Sequence, residues 1–297
     1  MKKEKIAIVT DSSSGLPVDV LAKYNIRQVN IPVELASGVF REGDDLDPIK
    51  FQMAMRDDKS LPVLGQVPSA ELKQMLLELK QAGYTHVICI LISSGIQSLV
   101  SKMEVCANGI DDLTTIVFDS QTAGTVLGDM VQLAAVMVRD GCQSSEIVPA
   151  LRQLRGSAET MIVIRDIRNL AKHGYISNGA TMMSNMLLRL KTLALFDETG
   201  RLAVVDTRSR SKKAYADVKE RISQTYHSLQ DKLTITILSV PGMEKSDVLD
   251  QLRIDLRTSF PKAEVKDAVM PASLEVITGE KSTGICWDQN WETLALR

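Results

Sequence analysis

The sequence predicts an α/β fold, with a mainly parallel sheet in an N-terminal domain followed by an α+β C-terminal domain. Through the first half, short apolar runs alternate with segments of helical periodicity, which is the pattern of βα units. The pattern changes near Thr160, and further on the turn Asp197-Glu198-Thr199-Gly200 joins two strand patterns as a β-hairpin does. At 297 residues the chain is long enough for two cores, and we expect domains at residues 1–160 and 161–297.

The predicted strands of the first domain are apolar runs bounded by turn residues, at Lys5–Thr10, Arg27–Val33, His86–Ile92 and Thr114–Phe118. Helical spacing predicts helices at about Val18–Tyr24, Pro48–Met55, Ala70–Ala82, Gln97–Ala107, Ala123–Arg139 and Ser145–Leu154. The helix from Ala123 is the best supported, because apolar residues recur there at helical spacing and Gly141 follows as a stop signal.

The second domain has a different order of elements. Its predicted strands are Met161–Ile164, Thr192–Leu195, Leu202–Asp206, Thr234–Val240, Glu264–Val269 and Leu274–Ile277. Its helices are one that ends near Ala171 and two longer ones at about Lys212–Leu229 and Lys245–Leu256. No flexible linker separates the domains, so we expect them to pack closely around a cleft, where ligand pockets are common.

The composition is that of a globular protein, with 44% hydrophobic and 24% charged residues. A formal net charge of −2 gives no field that attracts nucleic acid, and 4% aromatic residues leave few side chains for base stacking. No apolar run approaches the roughly 18 residues of a membrane span, so we expect neither nucleic-acid binding nor stable membrane insertion. The four cysteines stand apart without a C-x-x-C pair, which favours buried free thiols and a cytoplasmic location.

Several common chemistries have no motif in this chain. The phosphate-binding loop, the dinucleotide fingerprint, H-E-x-x-H and G-x-S-x-G are all missing. The histidines His86, His173 and His227 lie far apart, and the acidic stretch 44–47 fits a solvated loop before a helix. We therefore predict no catalytic residue, no metal and no cofactor.

Hydroxyl-rich turns follow three of the predicted parallel strands, at Thr10–Gly15, Ser93–Gly95 and Asp119–Gly124. The carboxyl ends of parallel strands meet at one edge of the sheet, which is where such folds bind ligands. The same hydroxyls and N–H groups could simply cap the helices that follow, or they could receive an anion.

The order of these landmarks along the chain resembles the DegV family. The matching segments cover nearly the whole chain: Thr10–Pro17, Ile31–Val33, Pro62–Gln66 with Pro68-Ser69, Ile92–Ser94, Phe118–Ser120, Leu170–Ser177 and Thr207–Ala214. The resemblance implies a bacterial two-domain protein that holds one long-chain fatty acid in an interdomain tunnel. In some members it also implies presentation of the carboxylate to a partner fatty acid kinase.

This chain departs from the family pattern at head-group positions, which makes it a divergent member. Leu64-Gly65 stands where the family usually has Thr-Ser, and the run after Ser93-Ser94 lacks the family's Thr-Tyr pair. Tyr175 replaces an arginine associated with the kinase interface, and Lys281–Ile285 replaces His-Thr-Gly-Pro-Gly. These positions decide what the scaffold can hold.

From the resemblance and these departures we predict the ligand-binding residues. Those expected to bind the fatty-acid head group are Ser93, Ser94, Lys281, Ser282 and Thr283. Those expected to line the acyl chain are Leu64, Ile96, Met182, Met186 and Leu187. Lys281 would supply a charge-assisted hydrogen bond where the family uses neutral donors, or it is a solvent-facing loop lysine.

The predicted function is therefore that of a non-catalytic lipid carrier, with a bound fatty acid as its ligand and a fatty acid kinase as a partner. Burial of a 16-carbon chain would supply on the order of 10 kcal/mol, at ~0.8 kcal/mol per methylene, before association costs. The alternative is an enzyme or enzyme subunit that uses the same cleft for a phosphorylated or polar small molecule.

Overall fold

The computed structural model describes residues 4–57, 61–174, 190–229, 232–242 and 246–295. The strands are β1 (Ile6–Asp11), β2 (Arg27–Val29), β3 (Pro32–Leu35), β4 (Gly38–Arg41), β5 (Val63–Leu64), β6 (His86–Leu91), β7 (Thr114–Asp119), β8 (Glu159–Ile164), β9 (Lys191–Phe196), β10 (Leu202–Arg208), β11 (Leu233–Ser239), β12 (Glu264–Val269) and β13 (Thr283–Gln289). The helices are α1 (Val18–Lys23), α2 (Pro48–Met55), α3 (Ser69–Gln81), α4 (Leu99–Ala107), α5 (Thr125–Arg139), α6 (Ser144–Ser157), α7 (Arg168–Lys172), α8 (Ser211–Leu229), α9 (Asp247–Ser259), α10 (Ala272–Thr278) and α11 (Glu292–Ala295).

The first sheet is parallel throughout, with strand order β2-β1-β6-β7. Its two central strands, β1 and β6, are buried on both faces, as expected for a sheet covered on both sides by helices. On one face, side chains such as Val9 and Cys89 pack with Leu72 and Met103 of α3 and α4. On the other face, the sheet packs against α5.

The second sheet is mixed, with strand order β10-β9-β8-β13-β11-β12. Neighbouring strands are antiparallel except for β11 and β12, which are parallel. Its outer face packs against α8 and α9 around the fully buried Trp287. A small third sheet, with order β4-β3-β5, lies beside α2 and contacts α10 through Val276.

Helix α5 lies between the two large sheets. Buried side chains surround much of it, including Val126, Leu127, Met130 and Leu133, as expected for a helix covered on several sides. These residues share one apolar cluster with Ile8 of β1 and with residues of the second sheet. The two sheets are therefore joined by a common core through α5.

The parallel sheet, the mixed second sheet and the hairpin between β9 and β10 confirm the predicted fold class and turn. The predicted strand at Leu274–Ile277 was wrong, because that segment forms helix α10, with its apolar side chains buried on more than one side. The predicted strand Arg27–Val33 is divided into β2 and β3, which belong to different sheets. The domain boundary at residue 160 falls within β8 and stays a prediction.

Candidate functional site

The three hydroxyl-rich turns meet at the carboxyl edge of the first sheet. Asp11, at the end of β1, accepts hydrogen bonds at Oδ1 from the backbone N and Oγ of Ser13, at 3.0 and 2.5 Å. Its Oδ2 accepts from the backbone N of Ile92, at 2.6 Å. Burial raises the pKa of Asp11 to about 6, against the lowering effect of these bonds. Asp11 thus fixes the first turn to the second.

The second turn meets the hairpin of the second sheet. Ser93 is fully buried, and its Oγ donates to the carbonyl of Gly200 at 2.6 Å. Ser94 is exposed instead, and its backbone N and Oγ donate to Asp119 at 3.2 and 2.5 Å. The predicted head-group residues Ser93 and Ser94 therefore point to different surroundings, and only the first faces the other sheet.

A small cavity of about 280 Å³ lies beside the first turn, between the two halves of the chain. Glu42 reaches it and accepts from Ser12 Oγ at 2.8 Å and from the backbone N of Ser273 at 3.0 Å. Glu275 also lines the cavity and accepts at both oxygens from Gln52 Nε2, at 2.9 Å each. Burial raises the pKa of both carboxyl groups, that of Glu275 to about 7. These contacts hold α10 against the N-terminal half.

The predicted head-group residues 281–283 contact other partners than Ser93 does. The Lys281 side chain is 62% exposed, with its Nζ 3.2 Å from Glu280. Ser282 is buried and donates from Oγ to the carbonyl of Thr278 at 2.5 Å. In the described part of the chain, no hydrogen bond or ion pair joins these residues to Ser93 or Ser94. Their role in head-group binding stays a prediction.

Thr283 begins β13, where alternate side chains point to opposite faces. Ile285 and Trp287 pack toward α8 and α9, so Thr283 shares the outer face of the sheet. Its Oγ1 is buried and has no hydrogen-bond partner among the described residues.

Two of the predicted acyl-chain residues lie at a junction of apolar clusters. Leu64 and Ile96 are half-buried. Each packs against two apolar clusters, the one around α5 between the large sheets and the one between the first sheet and helices α3 and α4. Phe196, at the end of β9, packs against the same two clusters and extends this junction to the second sheet. The other predicted lining residues, Met182, Met186 and Leu187, lie outside the described residues, as does Tyr175.

One candidate residue belongs to the first hydroxyl-rich turn but is not among the individual ligand-binding residues predicted from the sequence. Thr10 is fully buried, and its Oγ1 has no partner within the described ranges. It lies on the same face of β1 as Ile6 and Ile8, both of which belong to the core between the sheets. This alternation was the available signal, and it places a hydroxyl at the inner end of the site.

The described residues also bear on metal binding and membrane insertion. Within the described ranges, no three His, Cys, Asp or Glu side chains are grouped to hold a metal ion. Among the helices described, none has the length and apolar composition needed to cross a membrane.

Comparison with known proteins gives whole-length matches. A DegV domain-containing protein of Streptococcus pyogenes serotype M3 is 29% identical over 261 residues, 88% of this chain and 92% of the relative. Protein DegV of Bacillus subtilis is 25% identical over 283 residues, 95% of this chain and 98% of the relative.

The solved structures most similar in fold include a fatty acid binding DegV family protein of Streptococcus agalactiae. Its TM-score is 0.86 at 24% identity, over 96% of this chain and 99% of that one. DegV of Bacillus subtilis, described as a fatty acid binding protein, has a TM-score of 0.83 at 23% identity, with the same two coverages. The Fatty Acid Kinase B3 protein of Streptococcus pneumoniae, loaded with linoleic acid, has a TM-score of 0.79 at 17% identity, over 96% and 98%. At these identities the likeness establishes the fold.

A family model described as an uncharacterised protein of the DegV family matches residues 5–290. The match includes both large sheets, the helix between them and all three turns of the carboxyl edge. On this evidence, the chain belongs to the DegV family.

Proposed function

We propose that this chain binds one long-chain fatty acid between its two large sheets and carries it without chemical change. The observation that carries the proposal is the family match over residues 5–290, combined with structural neighbours that are themselves described as fatty acid binding proteins. The junction formed by Leu64, Ile96 and Phe196 supports it, because apolar side chains from both halves meet there beside the polar turns.

We place the carboxylate of the fatty acid at the carboxyl edge of the first sheet. A buried carboxylate needs hydrogen-bond donors, since an unpaired one costs several kcal/mol. Ser93 Oγ and Thr10 Oγ1 are the two fully buried hydroxyls that suit this role, one facing the hairpin and one facing the shared core. Leu64 offers no hydroxyl, so the binding relies on these two more heavily than the usual family pattern would.

Native mass spectrometry of the protein purified from cells tests the proposal. We expect an added mass of one long-chain fatty acid in near-stoichiometric amount, identified after denaturation and lipid extraction. A clean unliganded mass that also resists loading with palmitate and oleate would overturn it. Retention of a phosphorylated or polar small molecule would instead support the enzyme-subunit alternative.

We further propose that the loaded chain acts in the cytoplasm and presents the carboxylate to a fatty acid kinase. It is supported by the structural likeness to the linoleate-loaded kinase B3 protein of Streptococcus pneumoniae. We expect the loaded chain to produce acyl phosphate from labelled oleate only when a kinase catalytic subunit and ATP are added. Production without the kinase would show that the chain is itself catalytic and would overturn the carrier assignment.

A further inference from the structure

The turn at the tip of the β9–β10 hairpin is attached to the head-group turns of the first sheet by two side chains. Ser93 Oγ donates to the Gly200 carbonyl at 2.6 Å, and Gln121 Nε2 donates to the Glu198 carbonyl at 2.9 Å. Both donors follow strands of the first sheet. Both acceptors are backbone carbonyls in the turn between β9 and β10 of the second sheet. The hairpin turn is therefore held from outside by side chains that could release it.

The turn also has its own internal hydrogen bonds. Asp197 Oδ1 accepts from the backbone N of Thr199 at 2.8 Å, from Thr199 Oγ1 at 2.7 Å and from the backbone N of Arg201 at 3.0 Å. The Gly200 backbone N donates to the Asp197 carbonyl at 2.8 Å. Because these bonds do not involve the first sheet, the turn can leave Ser93 as one unit.

Two glycines allow the backbones to approach closely at this contact. A Cβ on Gly95 would lie 2.4 Å from the Gly200 carbonyl oxygen, well inside any tolerated contact. A Cβ on Gly200 would lie 2.1 Å from Ser93 Oγ, and Gly200 has a φ of +73°. The closed position of the turn therefore requires glycine on both sides.

A fatty-acid carboxylate and the hairpin turn compete for the same proton. Ser93 has one hydroxyl hydrogen, and while it donates to Gly200 it cannot also donate to a carboxylate. We propose that residues 197–200 form a gate, closed on Ser93 in the ligand-free chain and displaced when a carboxylate takes the hydroxyl. This rests on the fatty-acid-binding function proposed above.

The gate makes an unusual prediction for Gln121→Ala, which removes a gate contact without changing a proposed ligand-binding residue. Loss of one neutral hydrogen bond should raise the open fraction, and with it the association rate for oleate, by roughly 2- to 10-fold. Gly95→Ala, which wedges the turn away, should also speed association. Slower or unchanged association in both variants would overturn the gate.

A second measurement does not depend on fatty-acid affinity. Limited trypsin digestion, with mass spectrometry of the fragment that ends at Arg201, reports how often the hairpin tip opens. In the ligand-free chain, Gln121→Ala and Ser93→Ala should each speed this cleavage by roughly 2- to 10-fold. Ser98→Ala is the matched control, because the exposed Ser98 Oγ donates to Gln66 Oε1 at 2.7 Å, a contact outside the hairpin turn, and its loss should leave the rate unchanged.

Adding oleate to the unaltered chain separates the gate from the proposed function. The gate requires bound oleate to speed cleavage after Arg201, because the carboxylate displaces the turn. If native mass spectrometry shows oleate bound while cleavage is unchanged or slower, the gate is overturned and the fatty-acid-binding function stands. If neither the unaltered chain nor any variant binds oleate, the proposed function fails, and the ligand-driven gate fails with it.

Discussion

Glu275 is the buried carboxyl group whose replacement gives the sharpest test of the structure. It is 1% exposed, and burial raises its pKa from an ordinary 4.5 to about 7, with a further rise from nearby Glu280. The difference of about 2.5 between folded and unfolded pKa corresponds to about 3 kcal/mol, at 1.36 kcal/mol for each pKa unit. This is the cost to the folded chain of ionising the carboxyl group in place.

The direction of the pH effect follows from the raised pKa. Below pH 4.5 the group is protonated in both the folded and unfolded chain, so the cost is absent. Between pH 4.5 and 7 the unfolded chain loses this proton while the folded chain keeps it, so the free energy of unfolding falls across this range and the loss is complete above pH 7. Glu275→Gln keeps an acceptor for Gln52 and removes the charge. We expect it to raise the free energy of unfolding by up to about 3 kcal/mol at pH 8 and to change it little at pH 4.5.

Urea unfolding at the two pH values measures this difference directly. Glu78→Gln is a suitable control, because Glu78 is a half-exposed carboxyl group paired with Arg27, where a change within about 1 kcal/mol is expected. Equal stability changes for Glu275→Gln at both pH values, or a loss of stability at pH 8, would refute the argument that an uncompensated buried charge lies at this contact.

Two further predictions test the packing around α5 and the role of Lys281. Gly128→Ala should lower the free energy of urea unfolding by about 1–3 kcal/mol, because the added Cβ would lie 2.8 Å from the Ser14 carbonyl oxygen. Gly156→Ala is the control: its Cβ would meet open space, and the change should raise the free energy of unfolding by about 0.5–1 kcal/mol. Of the two interpretations of Lys281, the solvent-facing one predicts that Lys281→Met weakens binding of oleate and of oleyl alcohol equally, by less than about twofold, because the exposed ammonium pairs with Glu280 at the surface. A loss confined to oleate would contradict this and support Lys281 as a head-group residue.

The parallel sheet was predictable because its two central strands, β1 and β6, are mainly apolar runs followed by turn residues. The β9–β10 hairpin was predictable because Asp197–Gly200 has turn chemistry between two strand patterns. The prediction of a strand at Leu274–Ile277 was wrong because a short apolar run is equally compatible with a buried strand and a buried helix. Pro271 before it is the available helix signal, since it directly precedes the first helical residue.

The site was less predictable, because its geometry depends on contacts between residues far apart in sequence. The convergence of three turns follows from strand order alone, and it was predicted. The use of the Ser93 hydroxyl by Gly200 was not, since it depends on how closely the second sheet approaches. The same holds for Thr10, whose unpartnered hydroxyl becomes evident only once both faces of β1 are covered.

The opening turn, which is the strongest sequence sign of the family, positions the site more than it forms it. Asp11 accepts from Ser13 and from the backbone of Ile92, and Ser12 donates to Glu42 while accepting from the backbone N of Ile31. These polar atoms are already occupied, so they cannot bind a ligand without breaking the turn. Their effect is to fix the backbone directly before Ser93, for whose one hydroxyl hydrogen the proposed carboxylate would compete with the hairpin. A substitution in the opening turn should therefore disturb the proposed binding through the position of Ser93, whereas the buried Thr10 hydroxyl, unpartnered within the described residues, would act on the proposed ligand directly.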